Sequence, residues 1–350
     1  MLIRQRLPSV IPALLAIASL LPGAATAQAP AAPSPASGDF VLSPSKADDS
    51  LDPRHFDLSE QPVPIGRDGG ERMTMPVEIG ESGRYDFVID TGSQRTIIAS
   101  ELARKLGLPP LPPVEIVSIA GRVTVAAVTL NGLKYGDHFV EQMEALSIDH
   151  ADLGSAGLIG LDGLKDKRLT LDFKARRMDI GHSRHGPAPK SDPDTIVVEA
   201  RSRLGQLILV DSRVDGQRVS VILDTGAEIS VGNMALFHKL KLKRLVIPPT
   251  PTILTSVTGV EVPAQFTVVK RITIGSVVLG NVPMVFLDAA PFAELDLAEK
   301  PAMLLGMRML RMFDQVAIDF GNRRVDFRIK QSDATSPGAQ LAAATSALAR

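Results

Sequence analysis

The chain has 350 residues, 45% apolar and 22% charged, with a formal net charge of -1 and no cysteine. That length holds two domains with cores of their own. The absence of cysteine excludes thiol nucleophiles, thiolate metal sites and disulfides, while the near-neutral charge and lack of Trp argue against nucleic acid or an anionic membrane surface as a partner.

The first residues read as an export signal. Arg4 and Arg6 precede an apolar run from Val10 to Leu21, and Ala25-Thr26-Ala27 fits the small-x-small cleavage pattern. The run is shorter than the roughly 20 apolar residues a spanning helix needs. The expectation is an exported protein, periplasmic or secreted, with residues 1–27 removed and no stable membrane insertion afterwards. Residues 28–62 form an Ala/Pro/Ser-rich tether and an acidic, Pro-punctuated stretch, and residues 331–350 an Ala/Ser/Thr-rich tail; both are expected to be disordered.

Between these ends one pattern occurs twice, at 63–183 and 195–330, joined by a Pro-containing linker over 184–194. In the first copy, strand-like Thr74–Ile79 and Tyr85–Asp90 flank a Gly80–Gly83 turn; in the second, Gln206–Val214 and Arg218–Asp224 flank Asp215-Gly216, a strong hairpin signal. Each second strand ends in Asp-Thr-Gly: Asp90-Thr91-Gly92, then Ser93, and Asp224-Thr225-Gly226, then Ala227. A short apolar strand and a helix follow, over Ser100–Leu106 and Asn233–Leu240. Then comes a segment with a glycine at its tip, Val117-Ser118-Ile119-Ala120-Gly121 or Thr255-Ser256-Val257-Thr258-Gly259. Each copy continues with Leu158-Ile159-Gly160 or Leu304-Leu305-Gly306 and helices near Leu161–Lys167 and Met307–Phe313. The closing hairpins are Leu169–Phe173 with Arg177–Ile180 and Val316–Phe320 with Arg324–Phe327. This is a tandem duplication of a β-rich unit of ordinary domain size.

A lone Asp-Thr-Gly arises by chance in roughly one chain of this length in ten and is good turn chemistry by itself. Two copies in matching contexts demand more. A strand fixes the depth of each carboxylate, and glycine lets the backbone turn sharply and approach its counterpart. The Thr hydroxyl both donates and accepts, so Thr91 and Thr225 can link the two loops. Two carboxylates at one site cannot both ionise, so they share a proton and supply a base and an acid together.

On these residues the chain resembles the retropepsin-like aspartic peptidases, with two units fused on one polypeptide. The resemblance implies an all-β fold of two tandem closed β-barrel units, forming a bilobal enzyme about a pseudo-two-fold axis, a monomer with an internal pseudo-dimer. It implies catalytic Asp90 and Asp224, with Thr91, Gly92, Ser93, Thr225, Gly226, Ala227, Gly160 and Gly306 supporting the loops. Ala120, Gly121, Thr258 and Gly259 would lie at flap tips against an extended polypeptide substrate, and no cofactor or metal is called for. The function implied is an endopeptidase; the alternative is a silent peptide-binding module of the same fold. Neither flap has the Tyr typical of the pepsin-like branch. The Ser93 hydroxyl, absent at Ala227, is expected to bond Asp90 and make it the more readily ionised member.

Other constellations carry less. Gly181-His182-Ser183-Arg184-His185-Gly186 lacks nucleophile-elbow spacing, and its histidines lack a third metal ligand nearby. Lys239, Lys241, Lys243 and Arg244 read as a solvated face, and Asp162 and Asp288 as surface charges.

Overall fold

The computed structural model describes residues 72–184, 194–240 and 245–329, with four strands of two or three residues before residue 72 traced by backbone alone. Apart from those strands, the expected signal, tether and tail lie outside the described residues, as do residues 185–193 of the linker and Lys241, Lys243 and Arg244.

The first lobe runs β1 (Met73–Ile79), β2 (Arg84–Ile89), β3 (Ile97–Ala99), α1 (Ser100–Lys105), β4 (Pro110–Ser118), β5 (Gly121–Tyr135), β6 (His138–Ile148), α2 (His150–Leu153), β7 (Gly157–Ile159), α3 (Leu161–Leu164), β8 (Lys167–Asp172) and β9 (Arg177–His182). The second repeats it: β10 (Thr195–Arg203), β11 (Gln206–Val214), β12 (Gln217–Leu223), β13 (Ser230–Gly232), α4 (Met234–Lys239), β14 (Ile247–Ser256), β15 (Glu261–Ile274), β16 (Val277–Phe286), α5 (Ala290–Glu294), β17 (Ala302–Leu305), α6 (Met307–Leu310), β18 (Gln315–Asp319) and β19 (Arg324–Arg328).

Both lobes have the same strand order, β4-β5-β6-β3-β7-β2-β1 and β14-β15-β16-β13-β17-β12-β11. Each closes on itself where the long central strand turns back to the first: Val77 pairs with Tyr135, and Arg213 with Thr273. The fold is thus all-β in two lobes, as the duplicated pattern implies. The hairpin β11–β12 turns on Asp215 and Gly216, both at positive φ (46° and 86°), the pair of left-handed residues a two-residue turn requires. Strands β2 and β12 are buried at their C-terminal ends, where Phe87-Val88-Ile89 and Val221-Ile222-Leu223 enter the core. That burial carries the following aspartates to the centre of the molecule.

A third layer joins the lobes. Strands β10-β19-β18-β8-β9 form one continuous ladder in which β8 of the first lobe pairs with β18 of the second, Leu169 opposite Ile318. The closing hairpins are therefore the cement between the units. A charge network lies in this layer: Arg168 Nη2 donates to Asp326 at 2.7 Å, and Asp319 accepts from Ser183 Oγ at 2.5 Å. Ser183 is thereby a structural link and not a nucleophile.

The hairpins β4–β5 and β14–β15 are much longer than the tip segments alone suggested. Prolines 110, 112 and 113 begin the outer strand of one, and 248, 249 and 251 that of the other. A proline cannot donate to a ladder, and each hairpin slips register beside them, at Leu111/Val114 and Ile247/Thr250. Beyond the prolines the outer edges are paired: Ile116–Ser118 with Ala13–Leu15 in parallel, and Thr255–Ser256 with Ala18–Ser19 antiparallel.

Candidate active site

Asp90 and Asp224 are both fully buried. Each loop is held from below by its own lobe: Asp90 N donates to Ile159 O at 3.0 Å and Asp224 N to Leu305 O at 3.1 Å. Leu161 N then reaches Ser93 O, and Met307 N reaches Ala227 O, each at 2.8 Å. Gly160 and Gly306 lie directly beneath. A Cβ on Gly160 would sit 2.6 Å from the Arg95 carbonyl carbon, and one on Gly306 2.7 Å from that of Ile229. No side chain fits at either place.

The loops meet across the pseudo-two-fold. Thr91 Oγ1 donates to Leu223 O at 2.8 Å and accepts from Thr225 N at 3.2 Å. Thr225 Oγ1 donates to Ile89 O at 2.6 Å and accepts from Thr91 N at 3.0 Å. This brings each glycine against the other lobe's carboxylate: a Cβ on Gly92 would lie 2.6 Å from Asp224 Cγ, and one on Gly226 would collide with the Asp90 carboxyl. Closeness of the two acids is built into the glycines.

Each carboxylate is oriented by two backbone donors. Asp90 Oδ1 accepts from Gly92 N at 2.8 Å and Ser93 N at 3.0 Å; Asp224 Oδ1 accepts from Gly226 N and Ala227 N, both at 3.0 Å. Both Oδ2 atoms are buried with no hydrogen-bond partner. Each carboxyl lies against the other lobe's glycine, so a single proton held between the two acids would satisfy both. Burial raises both: Asp90 is lifted from 3.8 to about 6, against the pull of its backbone donors and the charge of Arg72. Asp224 is pushed well above the usual carboxylate range, by burial first and then by the charge of Asp90. The neighbouring charges differ in sign: that of Arg72 favours the ionised form of Asp90, whereas that of Asp90 disfavours the ionised form of Asp224.

The cause is not the expected one. The Ser93 hydroxyl donates away from Asp90, to Arg95 O at 2.8 Å. Only the Ser93 backbone N–H touches Asp90, and Ala227 does the same for Asp224. Asp162 also departs from expectation. It accepts from Thr96 N at 2.9 Å and Thr96 Oγ1 at 2.7 Å, tying α3 to the loop after Asp90, and burial raises it. Asp288 remains peripheral, with a 3.4 Å contact from Met234 N.

The flap tips lie over the opposite lobes. Ile119 is 2% exposed and packs in a cluster of the second lobe with Ile208, Val285 and Phe292. Arg122, one residue past Gly121, donates to Glu294 of α5 at 2.7 Å. On the other side Val257 is 1% exposed, and a Cβ on Gly259 would lie 2.7 Å from Asp152 of α2. Ser118 and Ser256 brace the two turns alike, accepting from Ala120 N at 3.2 Å and Thr258 N at 3.0 Å. Sequence reasoning pointed to the tip glycines. It passed over the apolar residues Ile119 and Val257, whose signal was a β-branched side chain in a turn, repeated in both copies.

Among the described residues no group of His, Asp or Glu is placed to hold a metal ion, and no helix is long and apolar enough to cross a membrane. No match was found among curated proteins. The aspartyl protease family profile matches residues 75–162 and 210–309, one stretch in each lobe and together more than half of the chain. With two matched stretches folded as two lobes around one pair of aspartates, the chain belongs to the aspartyl protease family.

Proposed function

We propose that this protein is an aspartic endopeptidase, exported from the cell, that hydrolyses polypeptides lying extended between the flaps and the dyad. The observation that carries the reading is the pair of buried carboxyls brought together by the crossed threonines and glycines, each with Oδ1 pinned by backbone donors and Oδ2 buried without a hydrogen-bond partner. Burial and mutual repulsion keep one proton on the pair over the pH range in which Asp90 alone is ionised.

A water between the carboxyls gives a proton to Asp90 as its oxygen attacks the scissile carbonyl carbon. Asp224 gives its proton to the carbonyl oxygen, forming a neutral gem-diol. On collapse, Asp90 passes its proton to the amide nitrogen, Asp224 recovers one from a diol hydroxyl, and the C–N bond breaks. One acid, one amine and the original dyad remain. The proline-free edges Ile116–Ser118 and Thr255–Ser256, which pair with the extended segments Ala13–Leu15 and Ala18–Ser19 in the structure, are the places where an extended substrate would find main-chain partners once those segments are gone, so side-chain pockets are left to set preference.

The test is to incubate the purified protein with unfolded polypeptides across pH and map new termini by mass spectrometry. Cleavage lost in both Asp90→Asn and Asp224→Asn supports the peptidase. Retained peptide binding with no cleavage at any pH would leave the silent module instead.

A further inference from the structure

The two halves of the dyad have matching backbone donors, yet something distinguishes them. The ladders beside them show what. In the first lobe Thr74 pairs with Val88, and the same register carried two residues further sets Arg72 opposite Asp90. In the second lobe Ile208 pairs with Ile222, and the same step sets Gln206 opposite Asp224. Arg72 and Gln206 are thus equivalent positions of the duplication, one a cation and the other a neutral amide. Both are buried, at 8% and 1% exposure. Arg72 Nη2 donates to Leu153 O at 2.7 Å, at the end of α2. Gln206 Nε2 crosses to the other lobe and donates to Gly92 O at 2.8 Å, leaving Oε1 buried without a partner.

We propose that Arg72 and Gln206 are the positioning residues that break the symmetry of the dyad, fixing Asp90 as the base and Asp224 as the acid. The inference rests on the aspartic-peptidase reading above. A cation held across a ladder from a carboxylate favours its charged form, and burial limits screening by solvent. The amide opposite Asp224 gives no such bias. The charge of Arg72 acts on Asp90 in this direction. The other charges around the loops are matched or exposed. Arg95 pairs with Glu144 and Asp162, and Glu228 with Arg308. Asp149, His150 and Asp152, on and beside the helix that receives Arg72, are exposed. Position 93/227, the other visible asymmetry, acts through backbone alone.

The experiment is a carboxyl-carbon NMR titration of the full chain labelled at aspartate, with Asp90 and Asp224 identified by the signals lost in Asp90→Asn and Asp224→Asn. In the wild type, Asp90 ionises first. Arg72→Gln raises its midpoint by about one pH unit or more, a tenfold change in its ionisation constant, and moves the acid limb of kcat/KM upward with it. Arg72→Lys retains the wild-type order. The exchange Arg72→Gln/Gln206→Arg reverses it, so that Asp224 ionises first. Gln206→Arg alone, which leaves Arg72 in place, brings the two midpoints together and keeps the test alive if Arg72→Gln does not fold. An exchange variant in which Asp90 still ionises first would overturn the proposal, as would an unmoved midpoint in Arg72→Gln. The titration needs no substrate, so a protein that reverses its order but cleaves nothing would sink the peptidase reading alone.

Discussion

Thr91 and Thr225 each give a hydroxyl hydrogen to a backbone carbonyl of the other lobe and each accept the other's backbone N–H. Four hydrogen bonds thus close in the buried centre of the molecule, and neither lobe can satisfy its loop without the other. Replacing Thr225 by Val, equal in shape, strands Ile89 O and Thr91 N. A buried polar group left unpaired costs about 1–3 kcal/mol, so Thr225→Val should lose about 2–4 kcal/mol in urea unfolding. Thr91→Val should lose a similar amount.

The dyad itself opposes folding at neutral pH. Asp90 binds its proton more tightly folded, with a value of about 6, than unfolded, at 3.8. A folded state that holds more protons loses stability as pH rises, here between about 4 and about 6, and the penalty stays in force above that window. Asp90→Asn removes the penalty while its amide oxygen still accepts the two backbone donors. It should raise the Tm at pH 7.5, by the equivalent of roughly 1–3 kcal/mol, and change it little at pH 3.5. Calorimetry at the two pH values checks this.

Ser93→Ala should leave the acid limb of the pH–rate profile where it is, because the hydroxyl serves Arg95 O and not the carboxylate. That outcome separates a loop-bracing serine from a dyad-tuning one.

The first lobe's flap holds the opposite lobe by two contacts of unequal strength. Arg122 and Glu294 form a pair at the surface, with the Arg122 side chain about half exposed, worth about 0.2–1 kcal/mol. Arg122→Ala should therefore raise KM no more than about fivefold, and the effect should fade in high salt. Ile119 fills an apolar site on the opposite lobe. Ile119→Asp should cost well over tenfold in kcat/KM and, because it puts a charge into that buried cluster, should also lower the midpoint of urea unfolding.

The inter-lobe layer should be acid-sensitive. Burial alone would raise Asp319, but hydrogen bonds from Ser183 and Asn322, with the charge of Arg168, hold it below the ordinary range. A depressed carboxylate contributes stability above its unfolded value near 4, and that contribution is lost as pH falls through the folded one. Arg168→Ala should cost about 2 kcal/mol at pH 7, less than the loss of a buried pair's sole partner because Arg324 and Asn322 remain. The difference from wild type should shrink below pH 3.5.

Much of the site was legible in the sequence because its geometry is carried by short motifs. Asp-Thr-Gly behind an apolar triplet encodes depth, turn and cross-link in three residues, and the apolar-apolar-Gly elements encode the loop's support. What escaped depends on long-range register. Arg72 precedes its strand and gains meaning only opposite Asp90, and Gln206 only opposite Asp224. Asp162 looked like a surface charge because its partner, Thr96, is 66 residues away. The helices α3 and α6 end after four residues, sooner than apolar spacing suggested, because the chain at once joins the inter-lobe ladder. Local pattern could show two hairpins there but not that they pair with each other.

The central claim is that two copies make one site. Its most direct test is kcat/KM for Asp90→Asn, Asp224→Asn and the double variant, measured on one cleavable peptide. A single shared dyad predicts that each change alone removes as much activity as both together. About half the wild-type rate surviving in each single variant would mean two independent sites and would contradict the account.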